Sequence, residues 1–260
     1  MKWDLNETIN CLPCSAGVYF FYDERDELIY IGKSINIKKR VQQHFSGKDR
    51  KSIKIQLFTK RIACEVMGSE LIALLYESEL IKKHQPLYNR SQRRTVYQYG
   101  LYQEDINGYK GLIIEKIQSD KEGITSFTTL REAKSALFRI TESYRLCQKI
   151  NRLYKSPNSC FQYQLQECNG ACLAKEPIGT YNERVDNFLT KVTFEKFTKL
   201  FEVVGRTDDE RGIVYIENGV YKGFGFYPVQ TDKKKLLDFI EQRQDNKDVR
   251  RILIRYLIKQ

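Results

Sequence analysis

The sequence predicts an α+β protein. A small three-stranded antiparallel domain flanked by helices leads into a cysteine-rich segment, and a small α/β region closes the chain. Three observations predict this. Two short aromatic strands, G-V-Y-F-F-Y at 17–22 and L-I-Y-I-G at 28–32, flank a charged turn near the start. Strand-like and helix-like stretches then succeed one another along most of the chain. Four cysteines crowd into residues 147–172, which are otherwise irregular.

Residues 17–22 and 28–32 read as a hairpin around the turn at 23–27. A four-residue loop sets Tyr19 directly opposite Tyr30, whereas a five-residue loop sets them on opposite faces. Residues 36–45 read as a helix whose apolar side is Ile37, Val41 and Phe45. Residues 61–67 (R-I-A-C-E-V-M) read as a third strand. Ser69 is suited to cap a helix that ends before Pro86. A first domain over residues 1–92 follows.

Residues 97–129 hold further strands, notably G-L-I-I-E-K-I, and Thr129 or a residue beside it is suited to cap a helix through residue 145. With the cysteine segment they form a region over 93–180. Residues 181–204 read as a helix and 212–227 as a second hairpin, turned by Asn218-Gly219, the strongest short hairpin signal. Helices over 231–243 and 247–258 complete a third region, 181–260. There is no internal repeat or low-complexity linker.

The 260 residues are 41% hydrophobic and 12% aromatic, so a buried core can form. Lys and Arg number 44 against 33 Asp and Glu, a formal charge of +11. Such a surplus is the electrostatic footprint of a nucleic-acid binder. It concentrates at 33–40, 48–60 and 90–94, where Lys38, Lys39, Arg93 and Arg94 are candidate DNA contacts. No apolar run approaches the roughly 18 residues of a membrane span, so no membrane partner is expected. The N-terminus, M-K-W-D-L-N-E-T, lacks the pattern of a signal peptide. The seven cysteines are therefore expected in a reducing, bacterial-type cytoplasm near the nucleoid. There, clustered cysteines bind metal more often than they form disulfides.

The first constellation of chemical interest joins the hairpin to the helix after it. Tyr30 precedes Gly32, which permits close approach of backbone or ligand. Lys33, Arg40 and His44 are spaced by seven and four, so a helix reaching back to Lys33 carries all three on one side. That side presents two fixed cations and an imidazole to a phosphate. In E-L-I-A-L-L-Y-E-S-E-L-I-K-K, Glu77 lies three residues after Leu74 and three and four before Leu80 and Ile81. It interrupts an apolar stripe, where a carboxylate is costly unless paired or metal-bound. The pairing alternatives are Arg40 and Lys33. A free tyrosine with a pKa near 10 is a poor base at neutral pH, and the adjacent cations are expected to favour its phenolate.

The second constellation is Cys147, Cys160, Cys168 and Cys172, spaced C-x12-C-x7-C-x3-C. Four thiolates serve either tetrahedral Zn²⁺ or an iron–sulfur cluster. The spacing departs from the paired C-x2-C knuckles of zinc ribbons. Cys11 and Cys14 form a lone C-x2-C with no second pair nearby, and Cys64 sits inside a strand pattern as a core residue.

The string G-V-Y, ten residues, Y-I-G-K, then an arginine, a helix with an inset glutamate, and a terminal P-x-Y-N resembles the GIY-YIG nuclease superfamily. Within it, A-L-L-Y-E-S-E-L-I-K-K-H-Q-P-L-Y-N is similar to the corresponding helix of the UvrC excision-repair nucleases and their short Cho relatives. The resemblance runs from about residue 12 to 185. It implies a single-strand DNA incision that depends on Mg²⁺ or Mn²⁺. Tyr30 would be the general base or water orienter, with Tyr19 bonded nearby and Glu77 the protein ligand of the ion. Lys33 and Arg40 would hold the scissile phosphate, and Asn89 would support the site. His44 stands where UvrC usually carries a tyrosine, which leaves open whether it is base or helper.

The segment C-F-Q-Y-Q-L-Q-E-C-N-G-A-C-L-A-K resembles the UvrC stretch thought to hold a [4Fe–4S] cluster, with zinc the alternative. Implied partners are DNA, a DNA-loading protein or repair helicase such as UvrB, and a fused or separate 3′–5′ exonuclease. Two other functions fit part of the pattern: a DNA-binding accessory module of such an exonuclease, and a restriction or homing enzyme of the same superfamily. Residues 205–260 carry no resemblance.

Overall fold

The computed structural model describes residues 5–89, 96–118, 121–155, 161–193 and 198–259. The chain divides into two compact units, residues 1–95 with 197–252 and residues 96–196 with 253–260.

The first unit opens with α1 (Leu5–Cys11), then strands β1 (Gly17–Tyr22) and β2 (Leu28–Ser34). Strand β3 (Arg61–Val66) pairs on the other side of β1, giving an antiparallel sheet of order β2-β1-β3. The central place of β1 explains its continuous apolar run, V-Y-F-F, which is buried throughout. The first motif glycine has a steric reason. A Cβ on Gly17 would lie 2.2 Å from the Glu65 carbonyl oxygen of β3.

The hairpin register differs from both sequence expectations. Tyr22 pairs with Leu28 across a five-residue loop, but Phe21 pairs with Tyr30 and Tyr19 with Gly32. Ile29 is the extra residue of a bulge, and a one-residue insertion reverses the face of everything beyond it. Tyr19 and Tyr30 thus return to one face as diagonal neighbours.

Helix α2 (Ile37–Ser46) starts after Asn36, whose side chain accepts from the Lys39 N–H. It does not reach back to Lys33, which belongs to β2, so Lys33, Arg40 and His44 do not share a helix. Helix α3 (Arg50–Phe58), capped by Asp49, is an element the sequence analysis took only for a basic cluster. Helix α4 (Glu70–His84) is capped by Ser69 as expected and ends at Gln85 in the left-handed conformation. A 3₁₀ turn, Leu87–Asn89, follows. The core beneath this sheet includes Tyr19, Phe21, Tyr30, Ile37, Val41, Ile55 and Ile62.

In the second unit, β4 (Tyr99–Ile106), β5 (Tyr109–Lys116) and β6 (Thr125–Phe127) form an antiparallel sheet of order β5-β4-β6. Helix α5 (Leu130–Ser143) is capped by Thr129, whose hydroxyl accepts from the Glu132 N–H. One turn, α6 (Phe161–Gln164), and helix α7 (Ile178–Val192) follow.

The chain then returns to the first unit. The expected helix over 181–204 stops at Val192, and Lys199–Val204 is strand β7. Its L-F-E-V-V is rich in β-branched and aromatic residues, which fit a pleated surface better than a helix. Strands β8 (Glu210–Glu217) and β9 (Val220–Pro228) form the expected hairpin at Asn218-Gly219, both with positive φ. The expected helix over 231–243 is instead a 3₁₀ segment, Lys233–Phe239, and a short edge strand β10 (Glu241–Gln242). Glycines on β9 admit that edge: a Cβ on Gly223 would meet the Glu241 carbonyl oxygen at 1.9 Å. The sheet order is β10-β9-β8-β7, antiparallel throughout, so this region is not the α/β arrangement expected. Helix α8 (Lys247–Lys259) is the last element.

Candidate active site

The site grows from the bulged hairpin. Tyr19 on β1 is 1% exposed and Tyr30 on β2 is 5% exposed, with ring centroids 6.0 Å apart. Gly32 lies opposite Tyr19, and a Cβ there would sit 2.3 Å from the Tyr19 hydroxyl. The second motif glycine therefore exists to seat the phenol.

His44, on the last turns of α2, is buried against both rings, with centroids 5.7 Å from Tyr19 and 5.3 Å from Tyr30. Its Nε2 and the Tyr19 hydroxyl lie 2.8 Å apart, the direction of the bond following the imidazole tautomer. Burial, then the charges of Arg40 and Lys51, lower the His44 pKa to about 4, so its ring is neutral at pH 7.

Both phenols are pushed upward. Burial is the main cause for each, reinforced at Tyr19 by Tyr30 and at Tyr30 by the Glu77 charge. The Tyr19 hydrogen bond and Arg40 pull Tyr30 back in part. The expectation that neighbouring cations lower Tyr30 is thus corrected: desolvation and the carboxylate outweigh them in the protein alone.

Glu77 is buried on α4. The Lys33 N–H donates to its Oε1 at 3.0 Å, which fixes the carboxylate against the end of β2. The Lys33 ammonium, one of the two side-chain partners considered for it, pairs with Glu70 at 2.5 Å. A single buried carboxylate beside a phenol is an all-oxygen donor set. It fits a hard divalent ion that completes its shell with water and phosphate oxygens.

Asn89 is fully buried and holds β2 in place. Its Oδ1 accepts from the Ile31 N–H at 2.9 Å and its Nδ2 donates to the Ile31 carbonyl at 2.8 Å. Arg40 is exposed on α2, with Nη1 donating to Gln43 at 3.0 Å. Lys39 is also exposed, while Lys38 donates to the Asn10 carbonyl at 2.7 Å. Arg93 and Arg94 lie outside the described residues.

Sequence reasoning missed Lys51. Its ammonium, carried by α3, stands 4.3 Å over the centre of the Tyr30 ring. The only signal for it was membership of the basic cluster at 48–60.

In the second unit, Cys147 and Cys168 are buried and Cys172 is half-buried, while Cys160 lies outside the described residues. Among the described residues no group of three or more His, Cys, Asp or Glu side chains comes together to hold a metal. Cys147, Cys168 and Cys172 therefore do not form a closed centre by themselves. Among the described residues no helix is long and apolar enough to cross a membrane.

Comparison with known proteins agrees with this geometry. Residues 15–90 match the UvrC-like GIY-YIG domain, and residues 99–191 match the middle domain of the UvrC/Cho excinucleases. Excinuclease Cho of Escherichia coli is 34% identical over 179 residues, 66% of this chain and 59% of Cho. UvrABC system protein C of Helicobacter pylori is 33% identical over 183 residues, 65% of this chain and 30% of that protein. The chain thus spans about three fifths of the length of the Cho relatives it matches. Among solved structures, the N-terminal GIY-YIG endonuclease domain of Thermotoga maritima UvrC, bound to magnesium, is 30% identical. It covers 34% of this chain and 99% of that one, with a TM-score of 0.32. Residues 15–90 and 99–191 therefore carry, in this order, the UvrC-like GIY-YIG domain and the middle domain of the UvrC/Cho excinucleases.

Proposed function

We propose that the chain is a metal-dependent DNA endonuclease that nicks one strand of damaged or structured DNA, as in nucleotide excision repair. The observation that carries this reading is the Glu77 carboxylate, buried, fixed by the Lys33 N–H, and close enough to Tyr30 to raise its pKa.

Tyr30 takes the proton from the attacking water. In the Nε2–H tautomer His44 donates to the Tyr19 hydroxyl, which then donates to Tyr30 and favours its ionised form. His44 is a helper in this arrangement, because its Nε2 is occupied by Tyr19. Arg40 and Lys33 hold the scissile phosphate, with Lys33 exchanging its Glu70 partner for the substrate. Asn89 keeps the β2 backbone in register. When bound at Glu77, Mg²⁺ or Mn²⁺ supplies Lewis-acid stabilisation of the phosphate and leaving oxygen. Lys39, Arg93 and Arg94 are further DNA contacts by virtue of their charge.

Cys147, Cys160, Cys168 and Cys172 are proposed to hold a [4Fe–4S] cluster. The burial of Cys147 and Cys168 supports this. An anaerobic preparation that is colourless, with zinc and no iron, overturns it. DNA is the proposed substrate, and a loading protein such as UvrB the proposed partner.

The test is incision of end-labelled duplexes, with and without a lesion, in Mg²⁺ or Mn²⁺. A nick on one strand at a fixed offset from the lesion is expected. Tyr30→Phe and Glu77→Gln should each abolish it while DNA binding survives. Near-normal cutting by either variant overturns the mechanism. Sequence-defined cuts in undamaged DNA, or none at all, overturn the repair function.

A further inference from the structure

Helix α4 is covered on more than one side. The side bearing Glu77 meets the end of β2 through the Lys33 N–H. A second side, carrying Ile72, Tyr76, Glu79 and Lys82 at steps of four, three and three, meets the sheet formed by β7–β10 and the residues that follow it. Ile72 packs so closely on Gly212 that a Cβ there would lie 2.7 Å from its Cδ1. Tyr76 and Phe224 are edge to face at 6.0 Å. Lys82 reaches Asp248 at 2.6 Å and the Asn246 side chain at 2.7 Å.

The centre of this contact is Arg243. Its guanidinium lies 4.0 Å from the Phe224 ring centre and 5.2 Å from that of Tyr76. One nitrogen pairs with Glu79 at 2.5 Å and another with Glu241 at 2.6 Å. The side chain is only 13% exposed. A guanidinium is suited to this place, because its planar fork stacks on rings and bonds two carboxylates at once. The chain leading into α4 is held by the same sheet. Gly68 has a positive φ, and a Cβ there would lie 1.9 Å from the Gly205 carbonyl oxygen. The residue before Glu77 and the residue two after it are therefore fixed by partners outside the catalytic hairpin.

We infer that residues 198–252, which lie outside both family matches, are a positioning element of the nuclease site. Arg243 holds α4 through Tyr76 and Glu79, and so sets the Glu77 carboxylate for its divalent ion. The inference rests on the proposed role of Glu77 as metal ligand. A single protein ligand makes the dependence acute. A catalytic group must be held within about 0.5 Å of its working position, and a small rotation of α4 displaces the carboxylate by that much.

The test is Mn²⁺ binding to the full chain, followed by electron paramagnetic resonance without DNA, for wild type, Glu77→Gln, Arg243→Ala and Arg243→Lys. Glu77→Gln should lose the site. Arg243→Ala should weaken Mn²⁺ binding by about tenfold or more, as loss of outer-shell support does. Its far-UV circular dichroism and duplex affinity should match wild type. Arg243→Lys keeps the charge and should recover part of the affinity. Wild-type Mn²⁺ affinity in a folded Arg243→Ala overturns the inference alone. Should that variant fail to fold, Glu79→Gln removes only the ion pair on α4, and wild-type affinity there has the same consequence. Equal binding by wild type and Glu77→Gln overturns the metal reading, and the inference with it.

Discussion

The Tyr19 hydroxyl and His44 Nε2 meet at 2.8 Å within the nuclease core, where burial holds the imidazole neutral. The consequence is a pH-dependent stability of defined sign. The ordinary histidine pKa near 6.5 applies to the unfolded chain, while the folded value is about 4. Between these values the unfolded state binds the proton and the folded state does not. Stability is therefore full above pH 6.5 and falls as pH drops toward 4. His44→Gln keeps a donor for the Tyr19 hydroxyl and removes the titration. Urea midpoints at pH 7 and pH 4.5 should differ less in His44→Gln than in wild type, and an unchanged difference contradicts the assignment.

Gly32→Ala should disable the site without touching any polar group. The new methyl would collide with the Tyr19 hydroxyl at 2.3 Å, and Tyr19 is too buried to swing aside. Overpacking of this kind costs about 1–3 kcal/mol. The expected result is a lowered melting temperature together with loss of incision. A variant that cuts normally shows that the seat of Tyr19 is unimportant.

The helix caps were legible because each is a local device. Ser69 and Thr129 accept the backbone N–H bonds their sequence positions suggest, while Asn36, read as the first helical residue, is itself a cap. The Asn218-Gly219 hairpin was legible for the same reason. The tyrosine register was not. It depends on a bulge at Ile29, and no pattern in 17–32 announces one. Helix α3 was also hidden. Its buried residues are only Ser52 and Ile55, so it lacks the apolar stripe that identifies an amphipathic helix.

Glu77 is buried on α4, as a carboxylate among apolar neighbours would be, but the reason drawn from the sequence was incomplete. The apolar residues of α4 do not form one stripe that it interrupts. They cover separate sides facing separate sheets, and those sheets come from segments more than a hundred residues apart in sequence. The direction of the Tyr30 shift was illegible too, since it depends on how deeply the phenol is buried.

Asn89→Ala should be costly for stability. The Ile31 N–H and carbonyl, both served by Asn89, lie on a fully buried residue. Leaving two such groups without partners costs roughly 2–5 kcal/mol. Asn89→Asp keeps an acceptor for the Ile31 N–H but has no donor for the carbonyl, and should fall between wild type and alanine. Urea denaturation gives the order, and equal midpoints for the three proteins would contradict the role of Asn89 as the anchor of β2.

Lys51→Ala should slow incision more than it weakens DNA binding. Its ammonium stands over the Tyr30 ring at 4.3 Å, an attraction of about 1 kcal/mol, or about fivefold in rate. Lys54, one turn further along the exposed part of α3, is the control. Lys54→Ala should alter affinity for duplex without a comparable change in the single-turnover rate. Equal rate effects of the two substitutions would reduce Lys51 to a general DNA contact.

Arg40→Gln separates phosphate binding from activation of the base. The Arg40 charge lowers the pKa of Tyr30 against the opposing effects of burial and Glu77. Its removal disfavours the phenolate, so the rising limb of the rate–pH profile should move to higher pH. Activity lost near pH 7.5 should then return in part at more alkaline pH, where Tyr30 ionises without help. The same removal relieves His44 of one repelling cation and raises its pKa, which should narrow the pH range of the stability change described above. A reduction by the same factor at every pH would assign Arg40 to the phosphate alone, and would leave the Tyr19 hydrogen bond as the main support for ionised Tyr30.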